Sequence, residues 1–134
     1  MHALIIDDSR AMRTILRRTV AALGFATTEA GDGRAALDHL EAGLRPDVCL
    51  IDWNMPVMDG YTFVTRVRAN PEWRDVTLMM VTTESQHSQI VRALAAGAHE
   101  YVIKPFTADA IEDKLRLLGL VRDLPDATRA EVPA

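Results

Sequence analysis

Hydrophobic residues in this chain fall into short unbroken runs, separated by stretches in which they recur every three or four positions. The unbroken runs are Ala3 to Ile6, Val48 to Ile51, Leu78 to Val81 and Tyr101 to Ile103. Continuous apolarity over so few residues predicts strands covered on both faces, as in a parallel sheet. Phe25 to Ala30 is more polar and predicts an edge strand. Between the runs the spacing predicts helices. Met12, Ile15, Leu16, Val20 and Leu23 mark the inner face of the first, with Gly24 placed to stop it. Ala36, Leu37 and Leu40 mark a second, ended near Gly43. Phe63, Val64 and Val67 mark a third, which must finish before Pro71. Ile90, Val91 and Leu94 mark a fourth ahead of Gly97, and Ile111, Leu115 and Leu118 a fifth.

Strand and helix in strict alternation call for one α/β domain, an open parallel sheet wound on both faces by helices. Residues 1–121 account for the domain. Residues 122–134 are polar, carry two prolines and show no periodicity, which predicts a mobile tail. With no output domain in view, the chain is expected to act by touching something else. Composition adds exclusions. The chain has 134 residues, 49% of them hydrophobic and 25% charged, in the range of an ordinary globular domain. A net charge of −4 argues against a nucleic-acid partner, which needs a basic face. No apolar run spans a bilayer, the start lacks a secretory signal, and the lone Cys49 forms no internal disulfide. Together these predict a cytoplasmic protein without membrane attachment.

Open α/β sheets bind ligands beyond the carboxyl ends of their strands. Each of the four unbroken runs is followed there by polar residues able to do chemistry: Asp7 and Asp8 after the first, Asp52 after the second, Thr82 after the third and Lys104 after the fourth. Carboxylates so placed repel by about 3 kcal/mol per pair at roughly 5 Å and an effective dielectric near 20. An oxygen-only donor set relieves this best with a hard cation, Mg²⁺. Lys104 supplies a point charge for an incoming phosphoryl group and Thr82 a hydroxyl donor. Nucleophile, metal clamp and cation are the parts of phosphoryl transfer, with Asp52, central in the sheet, as acceptor.

The blander readings are local. Asp7, Asp8 and Ser9 are also good caps for the first helix. Asp59-Gly60 reads as the turn into the third helix. Trp53 reads as a half-buried structural residue, and Cys49 as an apolar filler. The four histidines lack metal-ligand spacing. Arg10, Arg13, Arg17 and Arg18 read as a solvated face of the first helix or a docking patch for a kinase.

Taken in order, Asp7-Asp8-Ser9, Asp52-Trp53-Asn54-Met55-Pro56 with Asp59-Gly60, Thr82 and Lys104-Pro105-Phe106 resemble the bacterial response-regulator receiver domain. Trp53 after the acceptor, Glu84 two past the threonine and Tyr101 three before the lysine make the set most similar to the single-domain chemotaxis (CheY) type. The resemblance implies a flavodoxin-like (βα)5 fold, doubly wound, with strand order 2-1-3-4-5. It implies that Asp52 takes phosphate from a histidine kinase and that Asp8 ligates Mg²⁺ directly. Asp7 acts largely through water, and the backbone carbonyl of Asn54 completes the metal site. Thr82 and Lys104 contact the phosphoryl group, and the peptide before Pro105 is cis. Tyr101 swings inward as Thr82 moves, altering the face made by the fourth helix, fifth strand and fifth helix. That face of a monomer then meets a flagellar motor switch protein or a chemotaxis enzyme. Asn54 and Glu84 tune autodephosphorylation. Thr83 departs from the family's small residue at its position and narrows access to the pocket.

Two other functions use the same chemistry. A phosphorelay intermediate or phosphate sink would pass its phosphoryl group to a histidine phosphotransferase. A haloacid-dehalogenase-type phosphatase would turn over phosphate esters, but it places its nucleophile after the first strand and carries a cap for which this chain has no room.

Overall fold

Five strands, β1 (His2–Ile6), β2 (Ala26–Ala30), β3 (Val48–Ile51), β4 (Thr77–Thr82) and β5 (Glu100–Ile103), pair in parallel in the order β2-β1-β3-β4-β5. Helices α1 (Arg10–Ala21), α2 (Gly33–Glu41), α3 (Gly60–Ala69), α4 (His87–Ala96) and α5 (Ala108–Leu117) connect and flank them. The computed structural model describes residues 1–121, and the tail expected over residues 122–134 lies outside the described residues. The fold is the flavodoxin-like one that the alternation and the family resemblance predict. A single turn of 3-10 helix, Pro71–Trp73, interrupts the connection into β4 and had no periodic signal.

Successive side chains on a strand point to opposite faces, so each unbroken apolar run feeds two cores at once. Ala3, Ile5, Val48, Leu50, Met79 and Val81 pack with Leu16 and Val20 of α1 and Ile111 and Leu115 of α5. Leu4, Ile6, Cys49, Ile51, Leu78 and Met80 pack on the other face with α2, α3 and Ala93 of α4. Burying each large side chain contributes about 1.5–3 kcal/mol, which is the reserve that sustains an unfavourable cluster of charges at the sheet's edge. Burial pushes the Cys49 thiol up, in keeping with an inert filler.

Side-chain caps start four of the five helices: Ser9, Asp32, Asp59 and Thr107 each accept a backbone N–H of the first turn. Helix α4 begins at Gln86 without a side-chain cap. Its orientation also differs from the one the spacing predicts. Val91 and Leu94 are 50% and 43% exposed, and Ala93 is the residue that α4 buries fully. Ala93 faces the core with Ile90 and Ala96 packed beside it, while Val91 and Leu94 turn outward. Ile15 of α1 is likewise exposed rather than packed inward, and Ile103 leaves β5 apolar on its open side.

The loop after β3 holds one strained residue. Val57 has φ of 67°, in the left-handed region that a β-branched side chain rarely adopts, and is 82% exposed. Its side chain buries too little surface to offset that strain. Val57→Asn, with a residue that tolerates this conformation, is expected to raise the urea unfolding free energy by about 0.5–1 kcal/mol. An unchanged or lowered midpoint would show that the loop carries no strain at this position.

Candidate functional site

Topology brings the strand-end residues together. Strands β1 and β3 are neighbours in register, Ile6 opposite Ile51, so the residue after each emerges side by side. The backbone N–H of Asp52 donates to the Ile6 carbonyl at 2.9 Å, carrying the pairing one step beyond β3. Strand β4 delivers Thr82 opposite Ile103 of β5, and the Lys104 N–H donates to the Thr82 carbonyl at 2.8 Å. The chain reverses direction across the sheet between β1 and β3, and this is where open α/β sheets form their clefts.

The carboxylates of Asp7, Asp8 and Asp52 each offer an oxygen, all within 4.8 Å of one another. Lys104 Nζ bridges two of them, 2.7 Å from Asp7 Oδ2 and 3.5 Å from Asp52 Oδ2. Asp7 is buried, Asp52 nearly so, and Asp8 is open to solvent. Three negative groups against one ammonium leave a deficit of positive charge. A donor set of oxygens alone, partly open to water, fits Mg²⁺. Capping accounts for none of the three acids: Ser9 caps α1, accepting the Met12 N–H at 3.2 Å, while Asp7 Oδ1 accepts the Ser9 N–H at 2.9 Å.

The two Asp52 carboxylate oxygens sit in different surroundings. The Trp53 backbone N–H donates to Asp52 Oδ1 at 2.8 Å, and Oδ2 faces Lys104. Beneath this loop, Gly60 approaches the Asp52 carbonyl so closely that a Cβ would collide with it, which explains glycine at the start of α3. Thr82 is fully buried, and its Oγ1 accepts the Glu84 N–H at 3.3 Å. Thr83 and Asn54 are exposed around the cleft's loops, and Glu84 is half-buried. The Lys104–Pro105 peptide is cis.

Tyr101 is buried and its hydroxyl donates to the Glu84 carbonyl at 2.6 Å. Burial, with Glu84 and Asp52 adding to it, pushes its phenol up to about 12. Trp53 is buried rather than half-buried, only 6% exposed, because Tyr61 of α3 stacks on it with ring centroids 5.5 Å apart. Arg13, which the sequence places on a solvated face, donates from Nη1 to the Asp7 carbonyl at 2.7 Å and from Nε to Glu29 at 3.1 Å. Only the β1–β2 pairing, which sets Glu29 beside that turn, makes this role visible. Two histidines form hydrogen bonds: His2 Nε2 meets Thr28 Oγ1, and His99 Nδ1 meets both the Leu78 N–H and Arg68, with burial and the Arg68 charge lowering the pKa of His99.

Burial raises the Asp52 carboxyl above its ordinary value of 3.8, and Asp7 adds to the rise. A Thr82 hydrogen bond, Lys104 and the Trp53 N–H pull it back without cancelling it. A folded-state pKa above the unfolded one means that the native protein holds the extra proton between those two values. Stability therefore falls as pH rises through that window, and the cost persists at neutral pH. Asp52→Asn is expected to be more stable than the parent protein at pH 7. The gain should shrink as pH drops through the raised pKa toward 3.8. Urea titrations of both proteins from pH 7 to pH 4 check this, and equal stability throughout would contradict it.

The comparisons with known proteins agree with this arrangement. The response regulator receiver domain family matches residues 3–116. Chemotaxis protein CheY1 of Helicobacter pylori is 37% identical over 119 residues, covering 88% of this chain and 96% of that protein. The structure of Vibrio cholerae chemotaxis protein CheY4 matches with a TM-score of 0.80 at 33% identity, over 87% of this chain and 96% of that one. The receiver domain of a Pseudomonas aeruginosa sensor histidine kinase, solved with a magnesium ion coordinated in its active-site cleft, matches with a TM-score of 0.79 at 28% identity. That match covers 88% of this chain and 97% of that one. The acidic cluster, the lysine over it and these likenesses lead to one assignment: the chain belongs to the response-regulator receiver family, as a receiver of the CheY chemotaxis type.

Proposed function

We propose that Asp52 accepts a phosphoryl group from a histidine kinase and that the adduct biases the α4–β5–α5 face toward a protein target. The observation that carries this reading is the placement of Asp52 Oδ2 beside Lys104, within a cluster of three carboxylates. In the transfer, one Asp52 oxygen attacks phosphorus as the bond to the kinase imidazole breaks. Lys104 stabilises charge on the phosphoryl oxygens and Thr82 donates its hydroxyl to them. Asp8 would hold Mg²⁺ directly, Asp7 largely through water, with Asp52 and the Asn54 backbone carbonyl completing the set. When bound, the ion neutralises the crowded carboxylates and the phosphoryl oxygens. Asn54, Glu84 and Thr83 border the route by which water reaches the acyl phosphate and so tune its lifetime.

The switch couples Thr82 to Tyr101. In this structure Tyr101 is already turned inward, its hydroxyl on the Glu84 carbonyl at the loop before α4. Phosphorylation then acts by raising the population of a conformer the chain already reaches, which requires only a few kcal/mol. The exposed Val91, Leu94 and Ile103 give the face its apolar contacts. A flagellar motor switch protein or a chemotaxis enzyme is the kind of target proposed for this cytoplasmic, monomeric switch.

Incubation with acetyl phosphate tests the acceptor. The expected result is one phosphoryl group on the parent protein and none on Asp52→Asn. Chelating Mg²⁺ should slow labelling by about two orders of magnitude or more. Labelling of Asp52→Asn at the parent level would remove the proposal. A second series addresses Thr83. Its β-branched side chain restricts the approach to the cleft, so Thr83→Ala should be labelled and should lose its phosphate roughly two- to tenfold faster. Identical rates in the two proteins would mean that residue 83 does not gate the site.

A further inference from the structure

Three side chains from three segments form a ladder that ends at the acceptor. Arg92 of α4 lies over the ring of Tyr61 in α3, its guanidinium carbon 4.4 Å from the ring centroid. Tyr61 stacks on Trp53 with the planes 16° apart. Trp53 follows Asp52, and its backbone N–H holds Asp52 Oδ1 at 2.8 Å. The next peptide is fixed too, because the Trp53 carbonyl accepts the Gly60 N–H at 2.8 Å. Arg92 is itself steadied by Gln89, which accepts from its Nη1 at 2.9 Å, and among the described residues it pairs with no carboxylate. Its charge is therefore directed to the aromatic face.

We propose that Arg92 is a positioning residue for phosphorylation: through Tyr61 and Trp53 it fixes the N–H that orients the Asp52 carboxylate, so that the placement of α4 tunes the acceptor's reactivity. The inference rests on the acceptor role given above and adds a residue outside the pocket to it. Stacked aromatic pairs prefer this offset geometry, and a cation over the outer ring completes it. With the ladder in place, the indole has one orientation, and Oδ1 is held while Oδ2 remains turned toward Lys104. Orientation of a reacting group within such limits governs rate more than affinity. A partner that displaces Arg92 while docking on α4 changes the chemistry at Asp52, although it touches nothing in the cleft.

The test uses the full chain in a Trp73→Phe background, so that Trp53 is the single tryptophan and can be excited selectively over the tyrosines. Arg92→Ala and Tyr61→Leu are expected to red-shift Trp53 emission in metal-free protein, and to slow acetyl phosphate labelling. For Arg92→Ala the slowing is about two- to fivefold, the rate equivalent of one cation–aromatic contact. Arg92→Lys, which keeps the cation, should restore most of the rate. Mg²⁺ affinity measured by calorimetry should fall by less than the labelling rate does, because Asp7 and Asp8, which the ladder does not touch, still hold the ion. Parent-like labelling of Arg92→Ala overturns the proposal. So does a Mg²⁺ affinity that falls by the same factor as the rate, which would indicate general loosening. Failure of the Trp73→Phe protein itself to label, with the same failure in the wild-type chain, sinks the acceptor reading and this one together. Indifference to Arg92 in a protein that labels sinks this one alone.

Discussion

Crowding of like charges beyond the carboxyl edge of the sheet is the constraint on which the rest of the structure depends. Strands β1 and β3 must be neighbours for the sheet to form, and their pairing leaves Asp7 and Asp52 no means of separating. Lys104 reaches across from β5 to both, but one ammonium cannot neutralise three carboxylates within 4.8 Å. The result is a site in deficit, with Asp52 raised in pKa and the pocket attractive to any small hard cation. A divalent cation relieves that deficit, and Lys104 is left as a counter-charge for anionic oxygens. The charge pattern of the cleft is therefore a consequence of topology, with few requirements placed on the loops.

Such a cluster persists only because the elements that hold it are anchored elsewhere. Both cores draw on β1, β3, β4 and β5, with residues such as Leu4, Ile51 and Met80 on one face and Ile5, Leu50 and Val81 on the other. Strand ends so fixed cannot relax apart, and the repulsion is stored rather than dissipated. Local hydrogen bonds complete the restraint: Arg13 holds the Asp7 carbonyl, and the Trp53 N–H holds the Asp52 carboxylate. Gly60 allows α3 to begin directly beneath Asp52, where any side chain would press on the acceptor's own carbonyl.

What was legible in the sequence follows from the same logic. Strands covered on both faces write themselves as unbroken apolar runs, and the polar residue that ends each run marks the cleft. Asp7, Asp52, Thr82 and Lys104 were readable in that way, and the structure brings them together. Helix α4 was misread in part: of the residues that marked it, Ile90 packs against the core while Val91 and Leu94 are exposed, and the fully buried residue is Ala93, which a search for large apolar side chains passes over. The Pro71–Trp73 turn has no period to detect. Arg13 and Arg92 were readable only as surface charge, since their partners, Glu29 and Tyr61, lie on other elements whose packing no local pattern encodes.

The misread helix is also the one best suited to move. An N-cap is worth about 1 kcal/mol, and α4 alone among the five helices begins without one from a side chain. It buries a single residue completely, whereas α2 and α3 bury four each. Its attachments are instead specific contacts at identifiable points: the Tyr101 hydroxyl on the loop before it, and Arg92 on Tyr61. An element held by few, separable contacts has a shallow minimum, and a small change at either contact can reposition it. Both contacts lead back to the cleft, one through Glu84 and Thr82, the other through Trp53 and Asp52. The same weak packing leaves Val91 and Leu94 exposed, and under the proposed switch it would also let α4 respond to the charge state of Asp52. Exposure of the output surface and sensitivity to the input would then be one property of one helix.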